Sequence, residues 1–256
     1  MKGQGGGGPA KGGGKSKSYG VTEKIETSKP RQTAAINDNI VTLRSALFEE
    51  NGKDKDVTKD IAKSFMKFDR NGLDVSIEFT TKLSTPDAHW AFDLVKENME
   101  DKYDASGYGW DDEDKLRELT EKGTRFLVVR EMSKDGGLKV GAAVGFVHFR
   151  FTVQGEVIDQ MAGDPSLHIY DIHIEEQSQR KGLGKHLLLI LELVARREKM
   201  KLLSLPVQLG DNETTEWIRH IGKGWAVDES IAGLGFDADV EVSISFVDIF
   251  YLHHRH

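Results

Sequence analysis

The chain of 256 residues has no cysteine, which removes disulfides and thiolate metal sites and fits a reducing intracellular setting. Apolar runs are short. The longest is Leu187 to Leu191, far below the ~18 residues a membrane-spanning helix needs, so a soluble chain with no membrane partner is expected. The first residues carry no apolar signal core, so secretion is not expected either. Apolar side chains are also scarce from Met1 to about Gln32, where Gly, Lys and Ser dominate and little is available to offset the entropy of ordering. Residues 1–32 are therefore expected to form a disordered basic tail, with a helical segment over 33–66 and one folded domain over 67–256.

Acidic residues are absent from the first 20 positions, which hold Lys2, Lys11, Lys15 and Lys17. With a net charge of −7 for the whole chain, the remainder carries −11. An acidic body disfavours direct nucleic-acid binding and favours basic partners.

Hydrophobic periodicity outlines the elements. Ile36, Ile40, Leu43 and Leu47 have helical spacing, and so do Val57, Ile61 and Phe65, which predicts two short helices ahead of the core. Leu73, Val75, Ile77 and Phe79 alternate as in a half-buried strand. Ser84-Thr85-Pro86-Asp87 is a helix-start signal, and the acids Asp111 to Asp114 suit the first turn of another helix. Strands are predicted over 125–130 and 140–151, joined by a hairpin turn at 133–137, with a polar loop over 152–165. Strand 167–174, a helix to about Arg197, strand 201–207, helix 211–221 and strand 241–251 follow. Antiparallel strands first and strand–helix alternation afterwards make an α+β fold with a mixed central sheet flanked by helices.

Between strand 167–174 and the Leu-rich helix lies Gln179-Arg180-Lys181-Gly182-Leu183-Gly184-Lys185. A glycine-rich turn at a helix start presents unpaired backbone N–H groups and the positive end of the helix dipole, which suits a pyrophosphate. The nucleotide P-loop pattern is not met, because His186 follows Lys185 where Ser or Thr is needed. The dinucleotide fingerprint lacks its third glycine, Leu standing at 187. A helix start that binds nothing stays open on this segment alone.

The spacing of Gln179, Gly182 and Gly184 resembles the acetyl-coenzyme-A signature Gln/Arg-x-x-Gly-x-Gly/Ala of the GNAT superfamily of N-acetyltransferases. Further segments are similar to the N-terminal acetyltransferase D family: Lys67 to Glu78, Trp90 to Leu94, Gly109-Trp110, and His148 to Phe151. The resemblance runs from about Phe65 to about Glu229. It implies the GNAT fold and acetyl-CoA as co-substrate; no metal is expected, because no His/Asp/Glu spacing forms a ligand set, His253, His254 and His256 having no second half. It also implies transfer of the acetyl group to the α-amine of histones four and two-A, their amino-terminal tails being the partners of a monomeric enzyme. Another peptide terminus, a lysine, or mere binding of the tail are the alternatives.

The resemblance assigns residues as well. Asp171 stands where that family has the glutamate that acts as base, and His168 and Tyr170 stand at two tyrosines lining the peptide site. His168 is an alternative base. Ile172, His173, Ile174 and Gln179 to Lys185 (Arg180, Lys181, Gly182, Leu183 and Gly184 between them) fall at cofactor-binding positions. Tyr103, Tyr108, Trp110 and Thr152 fall at substrate-binding positions with His168 and Tyr170; the family has Asp at position 152 and usually Trp at 108. Asp104 and Glu78 are candidate partners for a substrate arginine. Strict alternation along 167–174 puts His168, Tyr170 and Ile172 on one face and Ile169, Asp171 and His173 on the other.

Overall fold

A computed structural model describes residues 21–107, 109–132, 141–154, 163–208, 211–221, 226–228 and 239–245. Helix α1 (Val21–Leu47) precedes strands β1 (Lys67–Arg70) and β2 (Leu73–Thr80), helices α2 (Thr85–Ser106) and α3 (Asp112–Thr120), and strands β3 (Arg125–Glu131), β4 (Ala143–Gln154) and β5 (Asp164–Ile174). Helix α4 (Leu183–Arg197), strand β6 (Leu202–Gln208), helix α5 (Asn212–Ile221) and strands β7 (Ala226–Asp228) and β8 (Asp239–Ser245) complete the order. The strands form one mixed sheet in the order β1-β2-β3-β4-β5-β6-β8-β7, with β5 and β6 parallel and every other neighbouring pair antiparallel.

Several predicted elements shift. The boundary at 32 falls inside α1, which begins at Val21 as one long helix, and only residues 1–20 of the expected tail lie outside the described residues. The segment 56–66 is a series of turns rather than a second helix. Val57 is fully buried and Ile61 half-buried there, so its apolar spacing reflects plugging of the core by a non-helical chain. Strand β1 was not foreseen, although Asn71-Gly72 is a strong signal for a two-residue hairpin turn. Both residues adopt positive φ, 54° and 78°. The expected hairpin turn at 133–137 lies outside the described residues, as does most of the loop after Gln154; β4 and β5 extend into its ends. The last strand ends at Ser245, and 246–251 is outside the described residues.

The sheet buries both faces. On one face α1 and α4 cover a core that includes Ala46, Val75, Leu127, Val147, Phe149, Leu167, Ile169, Leu187, Ile190 and Leu191. On the other, α2 and α3 cover a smaller core of Ala91, Leu94, Val95, Leu119, Phe126, Val128 and Phe146. Helix α2 starts as expected: Ser84 is its N-cap, its hydroxyl accepting from the Asp87 amide, and Gly107 closes it in the left-handed conformation.

Candidate active site

Two irregularities in β5 build the site. The first is a bulge against β4: His148 faces Asp171, but the next pair is Phe149 with Ile169, so Tyr170 is an extra residue. Side-chain alternation therefore slips by one at Tyr170. Leu167 and Ile169 before the bulge, and Ile172 and Ile174 after it, all pack on the α1/α4 core. His168, Tyr170, Asp171 and His173 are left together on the α2/α3 face. The strict alternation expected from the sequence, which separated Asp171 and His173 from His168 and Tyr170, is thereby corrected.

The second irregularity is a split in the sheet. Strand β5 pairs with β6 only at Ser166–Leu202, Leu167–Leu203 and His168–Ser204. Two residues further on, β6 carries Pro206, which has no N–H to give to a ladder. The strands part there, and a cleft holding about 80 Å³ opens between Tyr170 to His173 of β5 and Leu205 to Val207 of β6. Met99 and Tyr103 of α2 wall one side, and Asp211 and Thr214 at the start of α5 wall the other. The Lys102 ammonium bonds Asp211 at 2.8 Å and links these two walls.

Beneath the cleft lies a buried polar cluster. The Lys115 ammonium donates to Asp171 Oδ1 at 3.1 Å and to Glu118 Oε1 at 2.7 Å. His148 Nδ1 is 3.1 Å from Asp171 Oδ2, and the ring is fully buried between Phe126 and Tyr170, each with its centroid 5.0 Å away. Burial by itself would raise the Asp171 pKa, but the Lys115 charge and the hydrogen bond with His148, with His173 Nε2 3.7 Å away, override it and hold the carboxyl well below the usual range. Burial would lower the Lys115 pKa, and the Asp171 and Glu118 carboxylates override that in turn and raise it. Asp171 is thus a fixed anion with almost no affinity for a proton near neutral pH. The direct base role that the resemblance implied for it does not fit this environment, and an electrostatic role does.

Glu118, His148 and Asp171 present ligand atoms within 4.8 Å of one another, but the Lys115 ammonium already supplies the cation of that cluster. Arg150 completes the wall, its guanidinium 4.5 Å from the Tyr170 ring centroid and 2.7 Å from the Glu118 carbonyl oxygen. Burial raises the Tyr170 pKa; Arg150 opposes this and Glu118 and Glu121 add to it, leaving a neutral phenol at working pH.

The remaining predicted residues are dispersed. His168 lies where β5 and β6 are still paired, its Nδ1 2.8 Å from Ser204 Oγ and its ring edge-on to Tyr170 at 4.7 Å. Tyr103 lines the cleft, and Trp110 meets it edge-on at 5.7 Å while packing on the smaller core. Tyr108 lies outside the described residues. Thr152 pairs with Ser166, five residues from Asp171 along β5 and so roughly 16 Å along the strand. Glu78 of β2, three strands from β5, is held by Arg130 of β3 and does not reach the cleft. Asp104 accepts from the Trp110 amide. Lys115, Glu118, His148 and Arg150 were not singled out from sequence. Lys115 had a signal, since it shares an inward helix face with Leu119 at i and i+4, a position that calls for a partner.

At the end of β5 the Gln179–Lys185 turn leads into α4. Gln179 Nε2 donates to the Ile174 carbonyl at 2.8 Å, and Asn71 of the β1–β2 hairpin donates to the Lys181 carbonyl at 2.7 Å. Gly182 is the N-cap at φ 90°, a conformation costly for any residue with a Cβ. Gly184 has a different reason to be glycine: a Cβ there would stand 2.9 Å from the Trp217 ring. Of the three cations in the turn, Lys181 turns back to the Gln177 carbonyl, Arg180 pairs with Glu213, and Lys185 is exposed. The free amides at the start of α4 fit a pyrophosphate, and the β5 edge opened at the split offers backbone donors and acceptors to a ligand with amide groups of its own.

A phosphate cradle at a helix start, continuous with a split between two parallel strands and a buried ion cluster, defines an enzyme that takes a group from an extended, phosphate-bearing donor. The sequence profile of the acetyltransferase (GNAT) family matches residues 91–222, just over half of the chain, and the chain belongs to that family. Its reaction is acetyl transfer with acetyl-CoA as co-substrate. Among solved structures it is similar to Arabidopsis thaliana NAA60 in complex with a bisubstrate analogue (13% identity, 66% of this chain and 98% of that one, TM-score 0.44). It is also similar to Arabidopsis thaliana Naa50 in complex with the bisubstrate analogue CoA-Ac-MVNAL (13% identity, 67% and 99%, TM-score 0.43). A third is the PaiA N-acetyltransferase of Thermoplasma acidophilum in complex with coenzyme A (16% identity, 67% and 99%, TM-score 0.45).

Proposed function

We propose that this acetyltransferase acts on the α-amine of a protein amino terminus, with the basic tails of histones four and two-A as its favoured acceptors in the cytoplasm and nucleus. The observation that carries the reading is the wall of the cleft. Tyr103 and Tyr170 flank it beside an ionised Asp171; outside its lining, the end of α2 and the start of α3 carry Asp104, Asp111 and Glu113, with Asp112 and Asp114 already paired to Lys96 and Arg117. Such surroundings favour a basic peptide approaching amine first. An α-amine also suits the site because its ordinary pKa, about 7.7 to 8.0 against about 10.4 for lysine, leaves a useful neutral fraction near neutral pH.

In this reading Gly182, Leu183, Gly184 and Lys185 offer amides to the donor's pyrophosphate, and Gln179 holds the turn in shape. Ile172, His173 and Ile174 offer backbone groups along the split edge. Tyr170 and Tyr103 position the peptide end, and Asp171 supplies fixed negative charge below it. Trp110 buttresses Tyr103. Thr152 and His168 lie on the same sheet face farther along, where they would meet residues a few places into an extended tail.

The test is to incubate the protein with acetyl-CoA and a Ser-Gly-Arg-Gly peptide carrying one internal lysine, then locate the acetyl group by tandem mass spectrometry. Acetyl on the terminal amine is the expected result. Acetyl confined to lysine, or peptide binding without thiol release, overturns the reading.

A further inference from the structure

We propose that His173 is the group that receives the proton of the attacking amine, with Asp171 as the fixed anion that orients its ring and stabilises its imidazolium. The family resemblance placed His173 only among cofactor-binding positions. The inference rests on acetylation of an amine, terminal or lysine.

The geometry points to His173 by what each neighbour is already doing. Asp171 is committed to Lys115 and His148. His148 is fully buried and lies beneath the cleft rather than in it. His168 stands where β5 and β6 remain paired and contacts Ser204. Asp211 caps α5 through Thr214 and pairs with Lys102. Among the described residues, His173 is the one histidine that lines the cleft, with its side chain 12% exposed. Its Nε2 lies 3.7 Å from Asp171 Oδ1, and its Nδ1 lies 3.4 Å from the Asn98 amide nitrogen. Histidine is also the side chain whose ordinary range brackets neutral pH.

Charge counting supports the same assignment. Behind the ring, α3 contributes Lys115 and Glu118, β4 contributes the ring of His148, and β5 contributes Asp171 and the neutral phenol of Tyr170. From α2 the ring meets Asn98, with Tyr103 on the same wall of the cleft, and Phe146 of β4 lies 6.0 Å away. Arg150 is absorbed by Glu121 and by the Glu118 carbonyl. Two carboxylates against one ammonium leave a single uncompensated negative charge, which one imidazolium neutralises. The same charge makes the cluster a poor host for a second anion and a good one for a transient cation.

The step balances. In the neutral tautomer the Nε2 proton of His173 faces Asp171, and the Nδ1 lone pair is offered toward the long, displaceable Asn98 contact. His173 Nδ1 takes the proton that the amine nitrogen gives up as it bonds to the acetyl carbon. The electron pair of the broken carbon–sulfur bond leaves with the sulfur, and the imidazolium returns the proton to that sulfur, regenerating neutral His173. No outside acid, base or oxidant is needed.

The experiment uses the full chain and the acceptor amine identified by mass spectrometry. His173→Gln is expected to lower kcat by about a hundredfold or more. KM for acetyl-CoA should stay within about twofold, and the acid limb of the kcat–pH profile should disappear. Nitrogen-15 NMR of the ligand-free protein reads which ring nitrogen of His173 carries the proton, and Nε2–H, facing Asp171, is the expected tautomer. If His173→Gln does not fold, His173→Asn and the wild-type NMR spectrum carry the test. A kcat within about threefold of wild type with the limb intact overturns the proposal, as does a neutral His173 ring whose proton sits on Nδ1. Should neither peptide amine be acetylated, the functional reading fails, while the NMR spectrum still decides whether His173 offers its Nδ1 lone pair.

Discussion

The donor half and the acceptor half of the cleft are built on different principles. The donor half, from the split edge of β5 through Gly182 to α4, is made of backbone, and its side chains mainly hold the chain in place: Gln179 on Ile174, Asn71 on Lys181, Trp217 against Gly184. The acceptor half is made of side chains from α2, α3, β4 and β5, held together by buried charge. Backbone recognition needs a local turn, and charge recognition needs a tertiary arrangement in which every ion finds a partner.

The sharpest way to break this contrast is Lys115→Met. It strands the Asp171 carboxylate, 5% exposed, and is expected to cost about 3–5 kcal/mol in urea unfolding because an unpaired buried charge remains. Asp171→Asn together with Lys115→Met should recover much of that loss, a coupling that a double-mutant cycle measures. No comparable charge coupling is expected in the donor half.

The same pair gives the acceptor half a pH signature. Asp171 binds its proton more weakly when folded than at its ordinary value of 3.8, so its contribution is complete above that value and is lost as pH falls through the folded pKa. Lys115 has a folded pKa above its ordinary 10.5, so its contribution is complete below 10.5 and is lost only as pH rises beyond it. Unfolding free energies are therefore expected to stay level with respect to this pair between these limits and to drop in acid. Lys115→Met should remove most of the acid drop, and an unchanged acid profile in that variant would show that other groups cause it.

Gly184→Ala probes the donor half with a smaller effect. The added Cβ presses on Trp217 at 2.9 Å, and overpacking of this kind costs about 1–3 kcal/mol. KM for acetyl-CoA is expected to rise by several-fold with KM for the peptide little changed; a shift confined to the peptide would reverse the assignment of the two halves.

Legibility in the sequence divides along the same line. The Gln179–Lys185 turn, the cap at Ser84, the acidic first turn of α3 and most of the strands could be read from local pattern, because caps, glycine turns and alternation act over a few residues. Residues 56–66 misled because apolar spacing reports burial, and burial does not require a helix. His148 carries no signal until its partner, 23 residues away, is in place, and the inward spacing of Lys115 with Leu119 calls for a partner without saying which carboxylate, 56 residues away, it meets.

By itself the sequence determined that a strand would deliver its chain into a glycine turn at the head of a helix, since φ 90° at Gly182 and free helix-start amides are properties of consecutive residues. Only the tertiary structure decided which side chains of that strand face the cleft. Pairing with β4 forces Tyr170 out as an extra residue and brings Asp171 and His173 to the face of His168 and Tyr170, and a one-residue slip in a period of two reverses everything beyond it.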